Sequence, residues 1–499
     1  MRSALTLLCL CVCLSSLPAQ CGQAGAAGVP QIQVSSNLLD SDFILQVTHG
    51  APNAHWLMLA DTVAGPTVTP FGTFCTGPNP LITANSLAFT APPLDMTGAV
   101  SLPGSLPLSF GPLVNVPLYL QAVVLDPTAP FGVALSDSFS FTIASPRVFV
   151  VSDGAVQRNV EIYDALALAS GQPALLDTIT MQGLSDLTVS RDGRTLFTRD
   201  ITSNTPNRVR AFDISQVPAV HLADAVVSTT GVGTSNQGVV LSPDQTKGYF
   251  VDKPGLLHRF DADPASPTFM TITGTASLSL PSPEGVAVSP DGLLLYVSGG
   301  GQGTSAAGTV AVVDDATMTQ VSSIPITLQM PFLLGFAFVT DPQVSPDGTK
   351  LAVLEQGAFG GAFTGAAGLS IIDIDPSSPT SLTEIQSVAL PNYGQNQTTF
   401  DRSDPTGQTM LITESTMAGA VQLRRLNWAT GVSTVTPLSA GGGMGANDGG
   451  CATSGKGNLV FASAAGANTI YVLDANLNLL NSVPSLAGGT PQRIRVEQR

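Results

Sequence analysis

Side chains able to do chemistry are scarce in this chain and widely separated. It carries only four histidines. His49 and His55 fall on neighbouring expected strands, an arrangement open to a metal ion, but no third ligand completes it and ordinary surface histidines are expected. His221 and His258 lie in different repeats, which argues against a multi-histidine copper site or haem ligation. No G-x-S-x-G elbow presents a nucleophilic serine. Gly301-Gln-Gly-Thr-Ser-Ala306 faintly echoes a dinucleotide loop, yet a strand follows where a phosphate-binding helix N-terminus is needed. What remains is a set of carboxylates and amides that recur just ahead of one strand type. Gln237, Glu284, Asp341, Asp448 and Gln492 are the candidate ligand-binding residues; no catalytic set and no metal set is assigned.

The elements that position them repeat. Gly285-Val-Ala-Val-Ser-Pro-Asp-Gly-Leu-Leu-Leu-Tyr-Val297 reads as an apolar strand, a tight turn and a second apolar strand. Pro290 presets its own φ and Gly292 accepts a positive φ, so Ser-Pro-Asp-Gly closes a hairpin with little strain. Degraded copies stand at Val189–Phe197, Leu241–Phe250, Val344–Ala352, Asp404–Ile412 and Thr453–Phe461. A second marker is more faithful: an apolar strand ending in Asp164, Asp213, Asp261, Asp314, Asp373, Asn427 or Asp474. Successive markers are spaced by 47 to 59 residues. Each acid or amide is placed to accept from backbone amides just beyond it, an Asx turn that ends the strand.

Four strands per repeat, a to d, at this period define an all-β fold, a seven-bladed β-propeller. The first repeat supplies b, c and d at Arg147–Ser152, Val160–Asp164 and Leu175–Ile179, but no strand a precedes them. Pro491-Gln-Arg-Ile-Arg-Val496 has the strand-a pattern and no partners of its own. The C-terminal strand is therefore expected to pair into the first blade and close the ring. Positions just before strand a then align at the mouth of the central channel as Ser185, Gln237, Glu284, Thr340, Thr399, Gly449 and Gln492, with Asp186, Asp341 and Asp448 beside them. This polar, mildly acidic circle suits a cation or a hydroxyl-rich ligand; the bland reading is a wet channel with no ligand. The long loops Gly299–Gly308, Leu328–Asp341, Gln356–Gly368 and Gly441–Gly449 all fall on the same face, where repeat proteins place binding surfaces.

Val286-Ala-Val-Ser-Pro-Asp-Gly292 with Leu295-Tyr-Val-Ser298, and Val460–Asp474, resemble the YVTN-type β-propeller repeat over roughly residues 147–499. The resemblance implies an exported, often surface-located ring. It leaves activity open, because related rings serve as lactonases, as parts of oxidoreductases and as interaction modules. Propeller lactonases need a convergent Arg/His/Glu set; Glu284 fits one place, but no Arg or His is placed beside it. Glu284, Asp341 and Asp448 are the candidates for a metal-dependent version.

The rest of the chain bounds the setting. The 43% apolar content suffices for large cores, and 50 Gly and 37 Pro at only 11% charged residues favour short strands joined by turns. A net charge of −16 argues against nucleic acid and anionic membrane surfaces. Arg2, the apolar run Ala4–Leu14 and small residues at Ala19 and Ala24 read as a secretory signal peptide over residues 1–24. Cys21 invites a lipoprotein reading, but Gln20 stands where a small residue is normally needed. Residues 25–145 carry strand-like runs at Gln31–Ser35, Asp42–Thr48, His55–Ala60, Ser86–Thr90, Leu118–Leu125 and Ser136–Ile143, which suggest a β-sandwich. Its ending resembles a domain of exported bacterial proteins. Residues 146–499 form the ring. With Cys9, Cys11 and Cys13 in the signal peptide, Cys75 and Cys451 remain in different domains; a bridge between them has no support in the sequence, and each is expected as a buried or idle thiol. No cofactor and no membrane span is expected. The function expected is a secreted or envelope, non-enzymatic module that contacts protein or glycan at the channel face. The alternative is a lactonase-type hydrolase at the channel mouth. Three or more ionisable side chains converging at that mouth would distinguish the enzyme.

Overall fold

The computed structural model describes residues 22–499 apart from 26, 70–71, 79, 87–90, 154–157, 182, 201–206, 228–237, 253–254, 281–282, 301–307, 328–337, 357–366, 392–396, 417–419, 440–448, 465–466, 486–489 and 498–499. The chain divides into two compact units, Met1–Ser145 and Pro146–Arg499. The expected signal peptide and Cys21 lie outside the described residues.

In the first unit a three-stranded sheet (Gln31–Val34, Ser41–Thr48, Val100–Leu106) and a five-stranded sheet share one core. Val47 and Val100 from the former meet Trp56, Met58, Ala122 and Val124 from the latter. Sequence reading missed Val100–Leu106 because Pro103 and Gly104 break its centre. It survives as an edge strand, paired on one side only, where a missing N–H is tolerated. The hairpin Ala64–Thr69/Gly72–Thr76 and the strand Leu81–Asn85 were also not expected. Cys75 corrects a further expectation: it is disulfide-bonded rather than an idle thiol.

The second unit is a β-propeller. Seven four-stranded antiparallel sheets follow one another, and six are built from four consecutive strands. The remaining sheet takes Arg147–Asp153, Arg158–Asp164 and Leu175–Met181 as b, c and d, and Thr490–Val496 as a. Ile494 pairs with Val150 and Val496 with Val148, so the C-terminal strand closes the ring. The Arg147 guanidinium meets the Glu497 carboxylate at 3.0 Å just past the ladder, and the Glu497 amide donates to the Arg147 carbonyl at 2.9 Å.

Both repeat markers act as hydrogen-bonded turns. In four a–b turns a serine hydroxyl (Ser190, Ser242, Ser289, Ser345) donates to the aspartate two residues on and accepts the amide five residues on. Gly193, Gly292, Gly348, Gly407 and Gly457 all hold φ between +64° and +74° in these turns, and Gln245 takes the same conformation in the third repeat. The strand-c carboxylates and the Asn427 amide accept from amides two or three residues on, as at Asp213, Asp314, Asn427 and Asp474. Asp164 uses the same bond to cap a short helix, Ala165–Ser170.

Between sheets the packing is apolar. Leu196 and Phe212 of the second meet Phe149 and Val151 of the first; Phe197 meets Phe250 and Phe260 of the third. Comparable clusters join the later pairs. Between the seventh and first sheets polar ties appear as well: Asn481 donates to the Leu168 carbonyl at 2.7 Å, and Ser485 to the buried Glu161 at 2.8 Å.

Two outcomes follow. Removing residues 490–499 strips the buried Ile494 and Val496, together about 4 kcal/mol of apolar burial, and opens a sheet edge. Chemical denaturation should show loss of the single cooperative transition of the ring. Hydrogen bonds from Ser215, Thr317 and Asn478 hold Asp213, Asp314 and Asp474 below the usual carboxylate range. Their folded-state values are depressed, so their contribution is present above about pH 4 and lost as pH falls below it. Thermal melts should therefore fall between roughly pH 4 and pH 2, and these three groups should add no slope from pH 5 to 8.

Candidate functional site at the ring centre

The seven a strands touch one another in a closed circle, each against the next and the last against Leu184–Val189. Four of them carry an irregularity near the same end. Ladder register shifts between Leu184 and Asp186, between Pro283 and Gly285, between Thr340 and Gln343, and between Pro491 and Arg493. The extra residues are Ser185, Glu284, Asp341 with Pro342, and Gln492. Three of these are aligned mouth positions and the fourth is the neighbour of one. A bulge re-aims the side chain it carries and recurs beside active sites. Asp341 holds φ at +49°, a left-handed conformation costly for a non-glycine residue.

What holds Asp341 there is visible. One carboxylate oxygen accepts from the Thr398 amide and, at 2.7 Å, from its hydroxyl. The other accepts from the Gln343 side chain (Nε2) at 3.0 Å and lies 4.0 Å from Arg493 Nη1. The second sheet repeats the device. Asp186 accepts from Leu187 N at 2.8 Å, from Gly238 N of the next sheet at 3.3 Å, and from Arg495 Nη2 at 3.0 Å. Each aspartate thus binds the first amides of the following strand a. Burial opposes the charge on Arg495, but Asp186 and then Asp341 outweigh it and hold the guanidinium above its ordinary range. Asp186, Asp341 and Arg493 are buried and Arg495 is half-buried.

Gln397 locks the closing strand in place. Its side chain donates to the Ile494 carbonyl at 3.0 Å and accepts from the Ile494 amide at 3.2 Å. It passes Gly450, where an added Cβ would stand 2.6 Å from both Gln397 Oε1 and Ile494 N. Only glycine fits there. Cys451 beside it is a free, buried thiol, pushed up to about 12 by burial and by Asp341, and so is inert as a nucleophile at neutral pH.

Of the five sequence candidates, Glu284 and Asp341 are buried bulge residues and Gln492 is a half-buried one. Gln237 and Asp448 lie outside the described residues, as do most of the four long loops. Among the described residues the carboxylates of the expected circle do not stand alone. Arg493 and Arg495 enter the centre and balance Asp186 and Asp341, because alternate residues of the closing strand supply both. Both arginines lie in the strand-a sequence Pro491–Val496, but only cross-strand register shows that they enter the centre. Among the described residues no group of three or more His, Cys, Asp or Glu could hold a metal ion. His49 and His55 bond separately, to Thr48 and Ser86. No described helix is long and apolar enough to cross a membrane.

No family model matches the chain, and no curated protein matches it. Solved structures do. Hydrazine synthase of Kuenenia stuttgartiensis is 18% identical, over 59% of this chain and 77% of that one, at a TM-score of 0.47. The periplasmic gluconolactonase PpgL of Pseudomonas aeruginosa is 14% identical, over 70% of this chain and 99% of that one, at 0.49. At these identities the likeness concerns the fold. The expectation of a non-enzymatic interaction module is corrected by the centre itself: four ionisable side chains, Asp186, Asp341, Arg493 and Arg495, converge there.

Replacing Arg495 with Met leaves Asp186 buried without its counter-charge, which costs about 3–5 kcal/mol. Urea titration of Arg495→Met should show that loss, and Asp186→Asn in the same chain should recover part of it.

Proposed function

We propose that the ring is a lactonase-type hydrolase acting on sugar lactones at the channel mouth. The observation that carries this reading is the convergence of Asp186, Asp341, Arg493 and Arg495 on bulged inner strands. Lactone hydrolysis needs a group to take a proton from the attacking water and a donor for the oxyanion that forms. Glu284, set in the mouth by its own bulge, takes the proton. Arg493, oriented by Asp341, donates to the carbonyl oxygen as charge develops there. Collapse of the tetrahedral intermediate breaks the ring C–O bond, and the proton on Glu284 passes to the departing alkoxide, giving a hydroxy acid. Arg495, neutralised by Asp186, keeps the centre free of a second unpaired cation. The Ser-Pro-Asp-Gly turns and strand-c Asx turns support a place among YVTN-type repeats, and the apolar N-terminal run supports export from the cytoplasm.

The test is a proton-release assay on purified protein with glucono-1,5-lactone, corrected for spontaneous opening. The wild type should exceed the uncatalysed rate, and Arg493→Gln and Glu284→Gln should each lower kcat about 10²–10³-fold with folding retained by circular dichroism. A wild-type rate equal to the spontaneous one across several aldonolactones rejects the proposal.

A further inference from the structure

The facing sides of the second and third sheets enclose polar atoms that the ring centre does not use. Arg199, near the end of the second strand b, is 1% exposed, and its guanidinium carbon lies 4.4 Å from the Phe250 ring centroid. Its Nη2 donates to the Val251 carbonyl at 3.1 Å, while Nε and Nη1 are buried without partners among the described residues. Asn207 donates from Nδ2 to Asp252, and its Oδ1 accepts from none of the described residues. His258 packs on Phe250 with ring centroids 5.0 Å apart and shares a hydrogen bond with Thr275 at 3.1 Å through Nδ1. Its Nε2 stands 3.9 Å from Asp252, too far to bond, and is also unpartnered. Arg199, Asn207, Asp252 and His258 are all at most 4% exposed.

Folded interiors pair nearly all such atoms, because each one left open costs the desolvation of a polar group. Here, among the described residues, four open atoms belong to three side chains that all lie against Phe250, Val251 or Asp252 of the third sheet. Their chemistry is specific. The two open donors of Arg199 call for an acceptor, and a charged one, since burial outweighs Asp252 and Asp200 and pushes this guanidinium down to about 10. The open oxygen of Asn207 calls for a donor. His258 Nε2 serves either role, according to its tautomer. A lone water answers some of these needs but brings no charge to the cation.

We propose that this seam between the second and third sheets binds a small hydroxycarboxylate, its carboxylate on Arg199 and His258 and its hydroxyl donating to Asn207. The site shares no residue with the ring centre and stands whether or not the centre hydrolyses lactones.

Isothermal titration of the full chain with glycolate tests it, with acetate and ethylene glycol as probes that each carry half of the recognition. Glycolate should bind at least tenfold more tightly than either, and Arg199→Lys should weaken it at least tenfold. Should that variant fail to fold, His258→Gln, expected to weaken glycolate about fivefold, decides instead. Equal affinity for glycolate and acetate, full affinity in the folded variant, or a crystal grown in glycolate that shows only water in the seam would overturn the proposal.

Discussion

Everything in the ring depends on one antiparallel ladder between strands more than three hundred residues apart in sequence. Arg147–Asp153 has no strand a ahead of it, and Thr490–Val496 has no sheet of its own. Each left alone would present an unpaired edge. Their pairing removes both edges and adds the Arg147–Glu497 ion pair and the Gln397 clasp on Ile494. The same ladder sets the chemistry of the centre, since it is the closing strand that brings in Arg493 and Arg495.

A circle of seven a strands crowds side chains and backbone onto one axis. The chain meets that crowding with small residues and bulges. Gly450 makes room for Gln397, and the third and seventh a strands shorten to Val239–Leu241 and Cys451–Thr453. The bulges turn Asp341 and its counterparts off the regular pleat, and hydrogen bonds from the next sheet offset the strain at Asp341. Charge is arranged the same way: Arg495 answers Asp186, and Arg493 faces Asp341. Buried pairs of this kind contribute little net stability but fix geometry, because breaking one strands a charge. A centre of fixed donors and acceptors is what transition-state stabilisation requires.

Most of the fold was legible because it is repetitive. A Ser-x-Asp-Gly turn and a terminal Asp need only local hydrogen bonds, so their residues mark them wherever they stand. The closing strand was legible by elimination, as a strand-a pattern without partners. What sequence did not show depends on distant contacts. Nothing local in Val100–Leu106 outweighs Pro103 and Gly104; its pairing with Ser41–Thr48 does. The ring centre was half legible. Aligning the mouth positions found Glu284, Asp341 and Gln492, but the bulges that aim them come from cross-strand register. Nothing local marks Arg493 and Arg495 as centre residues, although they stand in the strand assigned to the centre. Arg199, Asn207 and His258 meet only because two sheets face each other, and no spacing reveals that.

The most direct test of closure is native-state hydrogen exchange followed by mass spectrometry on peptides spanning residues 147–153 and 490–497. Amides of both peptides should exchange together, at the slow rate of the ring's global opening. Exchange of the C-terminal peptide at the rate of a free tail, with 147–153 still protected, would contradict the account and take both arginines out of the centre.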